Sequence, residues 1–316
     1  MLKIKKILFP TDYSACAEHA FSQAAYLAER YDADLHVLHV TEPSLEQLTI
    51  DITEAEIAAD LHLPFSEPTP SANGAREEGG MLNVEIPPLE GSVARAILAY
   101  ADEQEIDVIV MGTHGRHGAM WLLLGSVAGK VVRLATCPVF TVRQDTETAS
   151  NGCIRRILVP TDFSEHARLA VAYAMDLAAS YDAHLDLLHV IEQLALPAIY
   201  GIEPPLVQMP DIACPARRVL EQVADEARWA GVSVQPHVHI GHPSHDIIDF
   251  AEHQGSDLIV IATHGLTGLK RFFLGSVAEK VVQSAPCPVF TVKGFGKRLL
   301  PQPAAVAPSE QQVPVS

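Results

Sequence analysis

Between residues 154 and 293, short apolar runs alternate with stretches whose apolar residues recur every three or four positions. The runs at 154–159, 185–190, 232–239, 257–262 and 289–292 are rich in Val, Ile and Leu and read as strands. The segments 164–181 and, approximately, 213–230, 243–255 and 275–285 carry helical spacing. The resulting order, βαβαβαβαβ, predicts a five-stranded parallel sheet with helices on both faces and right-handed crossovers. In such a sheet the ligand crevice lies beyond the carboxyl ends of the strands, where the winding reverses.

The first half repeats this pattern at an offset of 150 residues. Gly112-Thr-His-Gly115 followed by Leu-Gly125-Ser126-Val-Ala recurs as Ala262-Thr-His-Gly265 followed by Leu-Gly275-Ser276-Val-Ala. Across 112–143 and 262–293, 19 of 32 aligned positions are identical, which makes this a duplicated domain rather than a shared motif. The expected organisation is domain 1 over 1–145, a linker over 146–153, domain 2 over 154–293 and a disordered tail over 294–316. One stretch breaks the symmetry: residues 63–80, opposite the helix at 213–230, contain three prolines and three glycines and do not fit a helix. A helix nearer 44–62 would leave 63–80 as a long acidic loop, either a lid or partner site or an eroded connector.

Charge narrows the partners. Against 22 Lys and Arg stand 39 Asp and Glu, a formal net charge of −17. Nonspecific nucleic acid or anionic membrane binding needs a basic footprint, which this composition lacks. No segment reaches membrane-span length and the first ten residues read as a strand, so the cytoplasm is the expected location. The five cysteines form no CxxC pair, and Cys137 and Cys287 precede repeated Pro-Val-Phe-Thr-Val strands, where buried reduced thiols are expected.

The motif with chemical content follows the fourth strand. Gly112-x-x-Gly115, nine residues and Gly125-Ser126 give a strand–loop–helix unit that can bring backbone N–H groups together around a phosphate. Gly125 and Ser126 open a helix, where unpaired N–H groups and the helix dipole favour an anion. Neither the P-loop Gly-Lys-Ser/Thr nor a dinucleotide Gly-x-Gly-x-x-Gly after the first strand is present. The glycines could equally make a tight strand-to-helix turn and nothing more.

Gly-x2-Gly-x9-Gly-Ser, with Pro-Thr-Asp-Tyr/Phe-Ser far upstream and Cys-Pro-Val-Phe-Thr-Val closing each unit, resembles the universal stress protein family in its tandem form. The resemblance covers about 3–143 and 153–293. It implies two Rossmann-like domains of the adenine nucleotide alpha hydrolase-like type, paired through their last strands as an internal pseudo-dimer, and leaves a homodimer open. It also implies ATP or AMP in the crevice. The implied contacts in half 1 are Pro10, Thr11, Asp12, the backbone of Val40, Met111, Gly112, Gly115, Arg116, Gly125, Ser126 and Val127. In half 2 they are Pro160, Thr161, Asp162, Val190, Ala262, Gly265, Gly275, Ser276 and Val277. Site 1 has every glycine but Arg116 as its nearby cation, whereas site 2 has Lys270 and Arg271 but Ala262 in place of the first glycine. That alanine would cost on the order of 1 kcal/mol only if the position requires φ > 0.

Alternatives remain open from the residues alone. Asp12 and Asp162 precede serines at helix starts and fit helix capping as well as ligand contact. His114 and His264 suit turn stabilisation better than base catalysis. His237, His239, His242 and His245 invite a zinc reading, although nothing at a fixed spacing completes the set. For function, a nucleotide-binding regulator of the stress response leads, with unknown protein partners. A slow Mg-dependent ATP hydrolase is the enzymatic alternative, with Asp12 or Asp162 as metal ligands. The third reading is an interaction module holding another small molecule, such as a lipid fragment near the apolar residues 120–124.

Overall fold

The computed structural model describes residues 2–41, 80–89, 92–113, 124–143, 154–192, 213–263 and 274–300. The expected helix at 44–62, the 63–80 loop up to residue 79, the linker and the tail from 301 onward lie outside them. Half 1 comprises β1 (Lys6–Thr11), α1 (Ala15–Tyr31), β2 (Asp34–Val40), β3 (Met81–Ile86), α2 (Val93–Glu103), β4 (Val108–Gly112), α3 (Ser126–Leu134) and β5 (Val139–Val142). Half 2 comprises β6 (Arg156–Pro160), α4 (Glu165–Tyr181), β7 (His184–Glu192), α5 (Ala213–Trp229), β8 (Val234–Gly241), α6 (Pro243–Gln254), β9 (Leu258–Ala262), α7 (Ser276–Ser284) and β10 (Val289–Val292). The third strand of half 2, β8, thus runs two residues later than its apolar pattern predicts. Val232 is buried but lies before the strand, whose far end pairs Glu192 with Gly241.

All ten strands form one sheet in the order β3-β2-β1-β4-β5-β10-β9-β6-β7-β8. Every pairing is parallel except the central one, where β5 and β10 run antiparallel with Phe140 opposite Phe290. The hydroxyl of Thr141 donates to the Val289 carbonyl (3.2 Å) and that of Thr291 to the Val139 carbonyl (3.1 Å), so the two halves meet about a pseudo-twofold axis. The expected internal pairing through the last strands is therefore present. Within each half the winding reverses between the first strand and the fourth, β1 and β4 or β6 and β9.

Strand alternation divides the core between two faces. Ile7, Phe9, Val108 and Val110 pack with Ala17, Ala20, Ala24 and Leu27 of α1, and their counterparts pack with α4 and α5. Leu8, Ile109 and Met111 face α2 and α3, and Leu158, Ile259 and Ile261 face α6 and α7. The alanine rows let α1 and α4 lie close to the sheet. Ser14 and Ser164 begin those helices, each hydroxyl accepting an N–H three residues on, at 3.2 and 3.1 Å. Asp107 and its equivalent Asp257 each accept two N–H groups at the start of β1 and β6, which fixes the fourth strand beside the first.

The segment 294–300, which composition assigns to the disordered tail, packs against both halves, touching α4 of half 2 and the start, Asp107 and Thr136 of half 1. Leu299 is 2% exposed; its N–H donates to the Tyr173 hydroxyl (2.7 Å) and its carbonyl accepts from Lys3 (3.0 Å). Lys297 pairs with Asp107 at 2.6 Å. Gly296, at φ 86°, passes so near the Thr136 carbonyl that a Cβ would lie 2.1 Å from its oxygen. Leu299→Ala should lower the stability of the chain by about 2–4 kcal/mol, the usual cost of emptying a buried leucine site. Urea denaturation of the full chain measures this, and a loss under 1 kcal/mol would mean the segment docks without contributing to the core.

Candidate functional site

The sequence-derived contacts that fall within the described residues converge at the two points of reversed winding. In half 1, Pro10 and Thr11 end β1, Val40 ends β2, Met111 and Gly112 end β4, and Gly125-Ser126-Val127 opens α3. Half 2 brings Pro160, Thr161, Val190, Ala262 and Gly275-Ser276-Val277 to the equivalent place. Gly115, Arg116, Gly265, both loop histidines, Lys270 and Arg271 lie outside the described residues.

Both ends of each intervening loop are pinned by one bond: Gly125 N–H donates to the Thr113 carbonyl (2.9 Å), and Gly275 N–H to the Thr263 carbonyl (2.8 Å). Thr113 and Thr263 are buried and anchored in turn to Val142 and Val292 by their own N–H groups, at 2.9 and 3.0 Å. The chain therefore returns to its point of departure and enters the helix there. Gly125 (φ −54°, ψ 146°) and Gly275 (φ −58°, ψ 143°) occupy the N-cap positions, and neither helix has a side-chain cap. The first turn of each helix thus opens at the strand ends with no side-chain cap among the described residues, an arrangement suited to an anion.

Gly112 also meets a packing need that its motif does not show. It lies in a strand and is absent from the described residues with positive φ; a Cβ there would sit 2.9 Å from Cys16 Sγ and 3.2 Å from the Cys16 backbone. The missing side chain lets the first turn of α1 approach. In half 2, His166 stands where α1 has Cys16, and Ala262 packs against the α4-side core. Ala262 also lacks positive φ, so the strain that would have set site 2 apart does not arise. Gly112→Ala should destabilise the chain by about 1–3 kcal/mol through overpacking, whereas Ala262→Gly should cost less than 1 kcal/mol. Thermal unfolding of the two variants checks the contrast, and equal losses would refute it.

The Asp12 and Asp162 carboxylates each accept the N–H of the residue two positions on, Ser14 and Ser164, at 3.0 Å. Helix capping belongs to the serines, while the aspartates shape the turn leading into it. Sequence reasoning passed over the residues beside them. His39 Nδ1 donates to the Thr11 carbonyl (2.9 Å) and His189 Nδ1 to that of Thr161 (2.8 Å). Because a carbonyl only accepts, these bonds place the proton on Nδ1. Tyr13 and Phe163, at φ 59° and 64°, lay their rings on these imidazoles with centroids 4.7 and 4.3 Å apart. Strained backbone at two repeat-equivalent positions holds the rim of each crevice in a fixed shape. The signal was the recurring Leu-His-Val before residues 41 and 191, hidden inside apolar strands.

The four histidines of half 2 are engaged separately rather than grouped. His237 Nε2 bonds Asp186 (2.9 Å), and His237 and His239 both pack on the Phe250 ring. His242 stands at the N-cap position of α6 without a side-chain cap bond, and His245 pairs with Asp249 at 3.1 Å. Among the described residues no three His, Cys, Asp or Glu side chains are grouped to hold a metal ion, which gives the zinc reading no support. Burial pushes the Cys137 thiol up to about 12, and Cys16, Cys137, Cys214 and Cys287 are all unpaired, as expected of reduced thiols.

A doubly wound sheet with an uncapped helix start at its reversal point places each half in the Rossmann-like α/β class. The family model for the universal stress protein family matches residues 3–143 and again 154–293, and the chain belongs to that family in tandem form. Universal stress protein MJ0531 of Methanocaldococcus jannaschii is 35% identical over 142 residues, covering 44% of this chain and 82% of that protein. A Mycolicibacterium smegmatis universal stress protein is 26% identical over 295 residues, covering 91% and 96%. The solved universal stress protein of Archaeoglobus fulgidus superposes with a TM-score of 0.60 at 23% identity, over 92% of this chain and 96% of that one, and shares its fold. No helix among the described residues is long and apolar enough to cross a membrane.

Proposed function

We propose that this chain binds an adenine nucleotide, ATP or AMP, in the crevice of one or both halves and acts as a regulatory protein of the stress response. The observation that carries the reading is the duplicated helix start. In each half a pinned loop delivers the chain to an uncapped first turn at the point where the sheet reverses. Phosphate oxygens satisfy those N–H groups, and the helix dipole adds to the attraction. Thr11, Val40 and their equivalents at the neighbouring strand ends leave the base and ribose to lie along the sheet edge. A ligand that fits one arrangement of the two halves better than another shifts the balance between them, and this is how a binder regulates.

The test is to heat-denature freshly purified protein, identify released small molecules by mass spectrometry, and titrate the emptied chain with ATP and AMP, with and without Mg²⁺. One or two equivalents of adenine nucleotide per chain support the reading. Neither release nor binding would overturn it in favour of an interaction module. Phosphate release followed over hours separates a binder from a slow hydrolase.

A further inference from the structure

The helices that open at the two crevices, α3 and α7, are each held at the far end by the other half. Lys293, just after β10, is 4% exposed, and its ammonium donates to the Val132 carbonyl in the last turn of α3. Arg143, the repeat equivalent just after β5, donates to the Gln283 carbonyl (3.0 Å) and the Ala285 carbonyl (3.4 Å) at the end of α7. The exchange is reciprocal: a cation from half 2 closes the helix of half 1, and a cation from half 1 closes the helix of half 2. Carbonyls in the last turn of a helix have no partner within it, and the dipole there favours positive charge. Further ties follow the same route. Lys297 N–H donates to the Thr136 carbonyl just beyond α3 (2.9 Å), and Arg133 of α3 faces Glu279 of α7 at 3.7 Å.

We propose that Lys293 and Arg143 are positioning residues acting in trans, each anchoring the crevice helix of the opposite half so that ligand binding in one half is coupled to the other. The argument rests on length and placement. Each helix has nine residues, about 13 Å end to end, and its N-terminus has no side-chain cap. So short a helix has little stability of its own, and its direction is set by what holds it. The opposite half supplies one of those attachments at the end farthest from the crevice. Burying a lysine against a carbonyl is costly, since desolvation disfavours its charge and lowers its pKa to about 8. A cation kept at this position in both repeats, reaching across the axis each time, therefore marks a connection between halves.

The ligand part of the test rests on the nucleotide reading; the exchange part does not. In the full chain, Lys293→Met should make backbone amides of α3 exchange roughly tenfold faster while those of α7 stay within about twofold, and Arg143→Met should do the reverse. Arg143→Lys, which keeps a cation, should restore much of the protection in α7. Each half is then titrated alone with ATP and Mg²⁺, the other being blocked by Gly125→Asp or Gly275→Asp. Lys293→Met should weaken half 1 about two- to tenfold and spare half 2, and Arg143→Met should show the mirror image. Crosswise exchange without nucleotide binding in either half would uphold the anchoring and overturn the nucleotide reading. Equal changes in both helices, a change confined to the mutated residue's own half, or none would overturn the proposal. If Lys293→Met does not fold, the more exposed Arg143 alone decides it.

Discussion

Gly125→Asp should reduce ATP affinity in half 1 about a hundredfold while leaving the fold intact, because a like charge placed against the ligand costs several kcal/mol. At φ −54° and ψ 146° the N-cap accepts any L-residue without strain. An aspartate there is also a preferred cap, its carboxylate accepting N–H groups of the first turn. Those are the groups the phosphate is proposed to use, so the variant replaces the ligand with a side chain and repels what remains. Gly125→Asn separates the two effects, since it caps without a full charge and should cost only part of the loss. Gly275→Asp is the equivalent in half 2, where the new Cβ meets the Thr263 carbonyl oxygen at 3.3 Å and needs a small adjustment. Isothermal titration with ATP and Mg²⁺ reads both, alongside circular dichroism for the fold. Unchanged affinity in a folded Gly125→Asp protein that does bind nucleotide would place the phosphates elsewhere.

The strands and helices were legible because local patterns carry them: apolar runs made strands, three-to-four spacing made helices, and the 150-residue offset doubled the evidence for each. What escaped depends on contacts between residues distant in sequence. Residues 294–300 look loose by composition, yet Leu299 finds Tyr173, 126 positions away, and Lys297 finds Asp107. Gly112 reads as a ligand glycine, and only the distance between α1 and the sheet reveals that Cys16 uses its missing side chain. The helix starts at Gly125 and Gly275 were legible, since glycine followed by serine before a helical stretch carries its own physical meaning. That their far ends are closed by Lys293 and Arg143 was not, because the partners lie 161 and 140 positions away. Likewise the histidines of β8 stand in a suggestive row, but their partner Asp186 lies 51 residues upstream of His237 on the neighbouring strand.

Asp186→Ala should destabilise the chain by about 3–5 kcal/mol, the usual result of removing one member of a buried ion pair. Asp186 is 0% exposed on the sheet face that packs against α6 and α7. Its carboxylate accepts Arg156 Nε at 2.5 Å and Nη2 at 3.2 Å, and His237 Nε2 at 2.9 Å, with His184 Nε2 at 3.6 Å. The alanine leaves the guanidinium without its counter-charge. Burial alone would raise the carboxyl pKa, but the hydrogen bonds from His237 and Arg156, with the charge of Arg156, outweigh it and hold it below the ordinary aspartate value. A depressed folded-state pKa contributes stability that is present above the unfolded value, near pH 4, and is lost as pH falls through the folded one. The wild-type chain should therefore lose part of its stability below about pH 4, and Asp186→Ala should lose less over the same interval. Half 1 supplies an internal control, because the equivalent position is His36, bonded through Nδ1 to the Tyr100 hydroxyl at 2.8 Å. The Tyr100 position is Phe250 in half 2, so one repeat satisfies this buried position with a neutral pair and the other with ions. Replacing the whole ionic set, Asp186→Leu with Arg156→Met and His237→Leu, should recover much of the loss, since a packed apolar substitute rivals a buried ion pair. Urea denaturation at pH 7 and again at pH 3.5 measures both effects. A single mutant as stable as wild type at pH 7 would show that the Asp186 contacts contribute nothing net to the fold.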